Sequence, residues 1–187
     1  MLLQQLRDFE WLNEPQAVFF LDSGMKVVAN PETNFWQNKK ISLSRDSGHF
    51  FHTPKQGDFS LTVNWTLIAR PTKAQCGIML RIDKENWAKC YSMWDDDGKN
   101  KVCLSVTNLG LSDISEIQLD YEDTNIWLRA ARKSDVFEFS YSKDGDNYVP
   151  LRKFPFIKDT EKINAGAYIC SPNKTEFEAV LSYIEFA

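Results

Sequence analysis

Short stretches of alternating polar and apolar residues dominate the chain, and no long stretch has the periodicity of a helix. Residues 59–67 (FSLTVNWTL) place their apolar side chains at odd positions, and residues 75–82 (QCGIMLRI) place cysteine, isoleucine and leucine at even ones. Because the side chains of a strand alternate between its two faces, each stretch predicts a strand with one buried face.

The same alternation predicts further strands at residues 87–94, 101–108, 127–132, 136–142, 165–170 and 177–186. Turn residues separate them, as in the DDDGK and SKDGDN segments that begin at Asp95 and Ser142. A strand about every 10 to 15 residues favours a β-sandwich over βαβ units. No linker or low-complexity tract interrupts the pattern, so residues 1–187 are predicted to form a single domain.

The composition excludes several classes of protein. Hydrophobic residues make up 43% of the chain, which is enough for a sizeable core. A formal net charge of −4 argues against general nucleic-acid binding, which favours a basic surface. No stretch approaches the roughly 18 apolar residues of a membrane helix, and the first residues lack the features of a secretory signal. We therefore expect a cytoplasmic protein that binds neither nucleic acid nor membranes.

The sequence gives no sign of a metal or a cofactor. The four cysteines lack the spacing of a zinc site or a redox motif. The aspartates that begin at Asp95 fail the calcium-loop pattern, because the sixth and twelfth positions are Asn100 and Val106 instead of glycine and glutamate. A solvated hairpin turn is the simpler interpretation of this segment.

Several blocks, in order and spacing, resemble a family of proteins with the concanavalin A-like lectin/glucanase fold that includes the fungal regulation-of-enolase protein. The blocks are residues 11–15 (WLNEP), 45–50 (RDSGHF), 57–59 (GDF), 77–83 (GIMLRID), 85–89 (ENWAK), 127–129 (WLR), 144–145 (DG) and 166–172 (GAYICSP). The resemblance covers nearly the whole chain. It implies an all-β, jelly-roll sandwich of two antiparallel sheets, in which the concave sheet often forms a carbohydrate groove. It does not imply a reaction.

Long polar and aromatic side chains share the non-core side of four predicted strands. We expect this set to form one ligand-binding face: Gln75, Arg81, Lys89, Tyr91, Trp127 and Arg129. Aromatic rings stack on sugar rings, and arginine binds carboxylates or phosphates through paired hydrogen bonds. The alternative is an ordinary solvated face, since antiparallel sheets often leave one side wet.

Arg45 and His49 are predicted to line the rim of this face. Histidine has an ordinary pKa near 6.5 and shuttles protons in many enzymes. The competing interpretation is that His49 begins a strand and fills a hydrogen-bonding niche, because no nucleophile or second acid accompanies it in the sequence.

Glycosidase chemistry is disfavoured, because the Glu-x-Asp-x-x-Glu motif typical of the glucanases is absent and retaining enzymes need paired carboxylates. We therefore expect non-hydrolytic binding of a carbohydrate or an anionic, sugar-related metabolite. Two alternatives remain open. One is a regulatory protein-interaction module of carbohydrate metabolism, and the other is a lyase or isomerase that uses Lys89 or His49. A homodimer formed through a sheet edge is compatible with either.

Overall fold

The computed structural model describes residues 6–120 and 124–187, which form sixteen strands and one short 3-10 helix, Lys39–Ile41. The strands are β1 (Glu10–Leu12), β2 (Ala17–Leu21), β3 (Gly24–Ala29), β4 (Phe35–Asn38), β5 (Leu43–Asp46), β6 (His49–Gln56), β7 (Phe59–Leu67), β8 (Gln75–Asp83), β9 (Asn86–Trp94), β10 (Asn100–Asn108), β11 (Leu111–Gln118), β12 (Asn125–Lys133), β13 (Val136–Ser142), β14 (Val149–Phe154), β15 (Lys162–Cys170) and β16 (Phe177–Phe186).

The described strands form two sheets, and each pair of neighbouring strands is antiparallel. One sheet has nine strands in the order β1-β6-β15-β8-β9-β10-β11-β4-β5, and the other has seven in the order β14-β13-β12-β7-β16-β3-β2. The chain crosses repeatedly between them. The predicted all-β sandwich of two antiparallel sheets is confirmed, as is the hairpin that pairs β12 with β13.

The core lies between the two sheets and follows the predicted alternation. On β7, every second residue from Phe59 to Leu67 is buried, and on β8 the inward side chains are Cys76, Ile78 and Leu80. A polar contact crosses this core, where Trp65 Nε1 of β7 donates to the carbonyl of Gly77 on β8 at 2.9 Å. This bond fixes the position of one sheet against the other without leaving the indole N–H unpaired.

Gly77 is also a point of very close approach between β8 and β9. A Cβ atom at this position would lie 2.0 Å from the carbonyl oxygen of Cys90 and 2.7 Å from Cα of Tyr91. Both obstructing atoms belong to the backbone, so neither can move without breaking the strand pairing.

The nine-stranded sheet curls back on itself. In a flat sheet, β5 would stand about 24 Å from β8, five strand spacings away. Instead, Arg81 Nη1 on β8 lies 2.7 Å from Asp46 Oδ1 at the end of β5. The β4–β5 hairpin (35–46) therefore lies over the face of β8 and β9 that points away from the main core.

A second hydrophobic cluster fills the space beneath this hairpin. Its buried members are Phe35, Phe50, Met79, Trp87, Tyr91, Cys103, Tyr168 and Cys170. The central strands of the nine-stranded sheet are thus covered on both faces, which is why nearly all of β8 and β9 is buried.

We predict that Gly77→Ala destabilises the fold by more than about 3 kcal/mol, because the methyl group must displace two backbone segments. Gly98→Ala is the control, because no atom lies within 4 Å of the position that its Cβ would take. Only the positive φ of Gly98 disfavours alanine there, and we expect a loss of stability of about 1 kcal/mol. Urea unfolding of the two variants measures the difference. Equal losses would show that the close approach at Gly77 relaxes freely.

Candidate functional site

Four of the predicted site residues share one face of the nine-stranded sheet, as expected, but they are not accessible. The exposed fractions are 6% for Gln75, 8% for Arg81, 1% for Lys89 and 2% for Tyr91. The predicted ligand-binding face is therefore closed to solvent at these positions, because the β4–β5 hairpin covers them. Alternation along a strand identifies a face but does not reveal what packs on it.

Lys89 is the centre of the covered layer. Its Nζ donates to Gln75 Oε1 at 2.9 Å and to the carbonyl of Phe35 at 3.0 Å, and it lies 3.5 Å from Asn34 Oδ1. The rings of Tyr91 and two further aromatic residues surround the ammonium at 4.8–5.6 Å. The lysine therefore ties the hairpin to the sheet through the backbone of β4.

No carboxylate among the described residues forms an ion pair with Lys89. Burial consequently lowers the pKa of this amine to about 8, since carbonyl and amide oxygens replace only part of its hydration. Gln75 is the common acceptor of the layer, because its Oε1 also accepts from the hydroxyl of Tyr168 at 3.2 Å.

Arg81 secures the same end of the hairpin through β5, because Asp46 is the strand partner of Phe35. Its two terminal nitrogens donate to the two carboxylate oxygens of Asp46 at 2.7 and 3.0 Å, the paired geometry that favours arginine over lysine. The guanidinium also lies 5.7 Å from the ring centre of Phe35. Two of the cations that were predicted to bind a ligand, Arg81 and Lys89, thus bind the hairpin of the same chain.

His49 begins β6 and is buried, as the niche interpretation predicted. Its Nε2 accepts from the backbone N–H of Asn30 at 3.0 Å, so Nδ1 carries the proton and donates to the carbonyl of Asn13 at 2.6 Å. Burial lowers the pKa of this ring, and the bond to Asn13 opposes part of that effect. His49 therefore connects two loops and does not line an accessible rim.

Arg45 is exposed on β5 and lines an open pocket. This pocket has a volume of about 230 Å³ and is formed with Glu32, Asn34 and Pro172. Arg45 forms no ion pair with a described carboxylate. Sequence reasoning missed Glu32 and Asn34, because no motif marks the loop that precedes β4, and it noted Pro172 only as the end of a block of family resemblance.

That loop is held against the end of β15. The backbone N–H of Glu32 donates to the carbonyl of Asn173 at 2.7 Å, and that of Thr33 donates to the carbonyl of Ser171 at 2.9 Å. The pocket wall therefore rests on backbone contacts, and Asn34 Oδ1 is held by the backbone N–H of Phe35 at 2.8 Å.

Trp127 and Arg129 lie on β12 in the seven-stranded sheet, so the prediction that they share a face with Lys89 is wrong. Trp127 packs against Tyr183 with a ring-centre distance of 5.2 Å. Arg129 lies over the ring of Tyr148 at 3.6 Å and donates to the hydroxyl of Thr62. The predicted alternation of buried and exposed side chains along β12 is correct. Alternation alone, however, does not show to which sheet of a sandwich a strand belongs.

The two antiparallel sheets packed face to face form a jelly-roll β-sandwich of the concanavalin A-like lectin/glucanase class. The chain belongs to the family described as "Protein of unknown function (DUF1349)", whose sequence profile matches residues 11–187. It is similar to Regulation of enolase protein 1 of Saccharomyces cerevisiae, with 27% identity over 178 residues, 95% of this chain and 88% of that protein.

Solved structures with the same fold agree with this assignment. A functionally unknown protein from Saccharomyces cerevisiae superposes with a TM-score of 0.88 and 26% identity over 97% of each chain. The carbohydrate-binding module CBM66 from Bacillus subtilis has a TM-score of 0.62 and 12% identity over 96% of this chain and 94% of its own. The GH43 protein BlXynB from Bacillus licheniformis has a TM-score of 0.73 and 13% identity, and this chain covers 36% of it.

No helix within residues 6–120 and 124–187 is long and apolar enough to cross a membrane.

Stability is predicted to fall as the pH decreases from 7.5 to 5.5. Burial lowers the pKa of both histidines, His49 and His52, below 6.5, so the unfolded chain takes up protons before the folded one. The free energy of unfolding then decreases by at most about 1.4 kcal/mol per pH unit for each proton.

Urea unfolding at several pH values measures this slope. His52→Asn should reduce the slope, because it removes one of the two histidines in the chain. A free energy of unfolding that stays constant from pH 7.5 to 5.5 would contradict the predicted direction of both pKa shifts.

Proposed function

We propose that this chain binds a carbohydrate or a sugar-derived anion, without hydrolysing glycosidic bonds, in the pocket formed by Glu32, Asn34, Arg45 and Pro172. The observation that carries the proposal is Arg45, a cation without a described carboxylate partner in a polar pocket beside the covered layer. A guanidinium in this setting favours a carboxylate or phosphate, and the two neighbouring polar side chains suit hydroxyl groups.

The size of the pocket favours a small ligand. Its volume of about 230 Å³ corresponds to about eight water molecules of the liquid and is smaller than the roughly 300–1,000 Å³ of drug-sized sites. We therefore propose a single sugar acid or sugar phosphate as the ligand, in preference to a polymer. The carbohydrate-binding module CBM66, which shares the fold, supports carbohydrate as the ligand class by analogy alone.

Hydrolysis is not part of the proposal. Glu32 is the one carboxylate among the described residues that line this pocket, and Asp46 nearby is paired with Arg81. Glycoside hydrolysis ordinarily requires two carboxyl groups about 5 to 9.5 Å apart.

Isothermal titration with glucuronate, galacturonate and glucose 6-phosphate tests the proposal. At least one should bind, and Arg45→Ala should weaken its affinity at least tenfold through the loss of a charge-assisted pair. Arg152→Ala is the matched control, since Arg152 pairs with Asp113 on the surface, away from the pocket. The absence of heat with all three ligands, or equal affinity of the Arg45→Ala protein, would refute this site.

A second proposed function is regulation through protein contact, and the edge strand β2 favours it. Phe19, Phe20 and Leu21 follow one another there with exposed fractions of 50%, 58% and 47%, and β2 lies at the edge of its sheet. Exposed apolar edges are typical of contact sites, because unpaired backbone groups and apolar side chains are both available to a partner.

The related yeast protein is named for regulation of enolase, so we propose enolase as the partner of β2. Phe20→Lys should weaken binding to purified enolase at least tenfold, whereas Ile157→Lys, at another exposed apolar position, should not. Biolayer interferometry with both variants measures this. Enolase binding that is absent, or that Phe20→Lys leaves unchanged, would refute the contact.

A further inference from the structure

A second pocket lies where the end of β16 faces β6 of the other sheet. The turn before β1, the end of β6 and residues 184–186 surround it, and its volume is about 240 Å³. This volume corresponds to about eight water molecules of the liquid, which is room for one small molecule. The pocket shares no lining residue with the pocket of Arg45, so the two are separate sites.

One wall of this second pocket is apolar, because it continues the core. Ile184 is buried, and the rings of Phe9 and Phe186 pack against the main core cluster with their centres 6.1 Å apart. All three residues line the pocket. An apolar group of a ligand would lose contact with water against this wall, which favours binding.

The pocket also carries one cation that faces this wall. Phe51 belongs to the main core, so strand alternation directs Thr53 and Lys55 of β6 to the same side. Lys55 is half-buried there, and its Nζ lies 4.0 Å from the ring centre of Phe186. Thr53 is buried and supplies a hydroxyl group that both donates and accepts.

An opposite charge lines the same pocket without neutralising Lys55. Asp8 is exposed in the turn before β1. Within residues 6–120 and 124–187, neither Asp8 nor Lys55 forms an ion pair. Glu185 contributes its backbone, because its carboxylate lies on the opposite side of β16, where it accepts from the hydroxyl of Tyr183.

Backbone groups of β16 supply further donors and acceptors. Among the described residues, β3 pairs with β16 only as far as Leu181, so the end of β16 has a free edge on that side. On the other side, Ala187 and Ser60 exchange two backbone hydrogen bonds at 2.8 and 2.9 Å. Successive residues of an antiparallel pair alternately bond to the partner and point away from it. The N–H and C=O groups of Ile184 and Phe186 therefore point to the free edge, beside the pocket.

We propose that this second pocket binds a free α-amino acid with an apolar side chain. The carboxylate of the ligand binds Lys55 and the hydroxyl of Thr53. Its ammonium group binds Asp8 and a free carbonyl of β16, and its side chain packs on Phe9 and Phe186. A zwitterion pairs with both charges of the pocket, whereas a simple anion leaves Asp8 without a partner and a simple cation leaves Lys55 without one.

Isothermal titration of the full-length chain with L-leucine tests the inference. L-Leucine should bind, and L-leucinamide, which lacks the carboxylate, should bind at least tenfold more weakly. N-Acetyl-L-leucine, which lacks the ammonium group, should bind at least threefold more weakly. The smaller factor reflects the exposure of Asp8, since exposed ion pairs contribute less.

Variants of the two charged residues should show the same order. Lys55→Met keeps the apolar stem beside Phe186 and should weaken the affinity for L-leucine at least tenfold, and Asp8→Asn should weaken it at least threefold. Lys153→Met is the matched control, because Lys153 is an exposed lysine that pairs with Glu138. Failure of L-leucine to bind, equal affinity for L-leucinamide, or unchanged affinity of the Lys55→Met protein would overturn the inference.

Light-activated labelling locates the ligand on the unmodified sequence, even if a variant does not fold. The protein is irradiated with the diazirine analogue of leucine, and the adduct is located by peptide mass mapping. We expect labelling within residues 8–9, 53–55 or 184–186, and an excess of L-leucine should suppress it. Labelling confined to other segments, or labelling that L-leucine does not reduce, would overturn the site.

Discussion

The closure of the nine-stranded sheet onto its own β4–β5 hairpin is the constraint on which the rest of the structure depends. Arg81 and Lys89 hold the open end of that hairpin through Asp46 and the carbonyl of Phe35, which belong to paired residues. Closure buries the polar face of β8 and β9 and leaves Arg45 at its margin. It therefore creates both the covered layer and the open pocket beside it.

Much of the fold was predictable from the sequence, because alternation is a local property. The buried side of β7 and the β12–β13 hairpin follow from neighbouring residues alone. The sheet to which β12 belongs depends on long-range contacts. The residues around Trp127 therefore do not indicate this sheet. The covering of Lys89 depends likewise on contacts with Asn34 and Phe35, more than fifty residues away.

The candidate site was predictable only in part, for a related physical reason. Residue type indicated correctly that the face of β8 and β9 carries cations, amides and aromatic rings. It did not reveal that these groups satisfy one another, since Gln75 accepts from Lys89 and Tyr168. Arg45 remains accessible because strand alternation directs it to the face of the hairpin opposite Asp46, which bonds Arg81 in the layer. The loop residues Glu32 and Asn34 enter the site through backbone contacts with residues 171–173, which no local pattern encodes.

The strand order has a consequence for how the polypeptide acquires its structure during synthesis. β15 is inserted between β6 and β8, and β16 between β7 and β3. Both are interior strands, although they come last in the chain order of the described strands. A growing polypeptide that still lacks residues 162–186 has a gap in each layer, with apolar edges on either side. Cooperative folding of this domain must therefore wait until residues 162–186 have been translated, and the nascent chain depends on protection from aggregation until then.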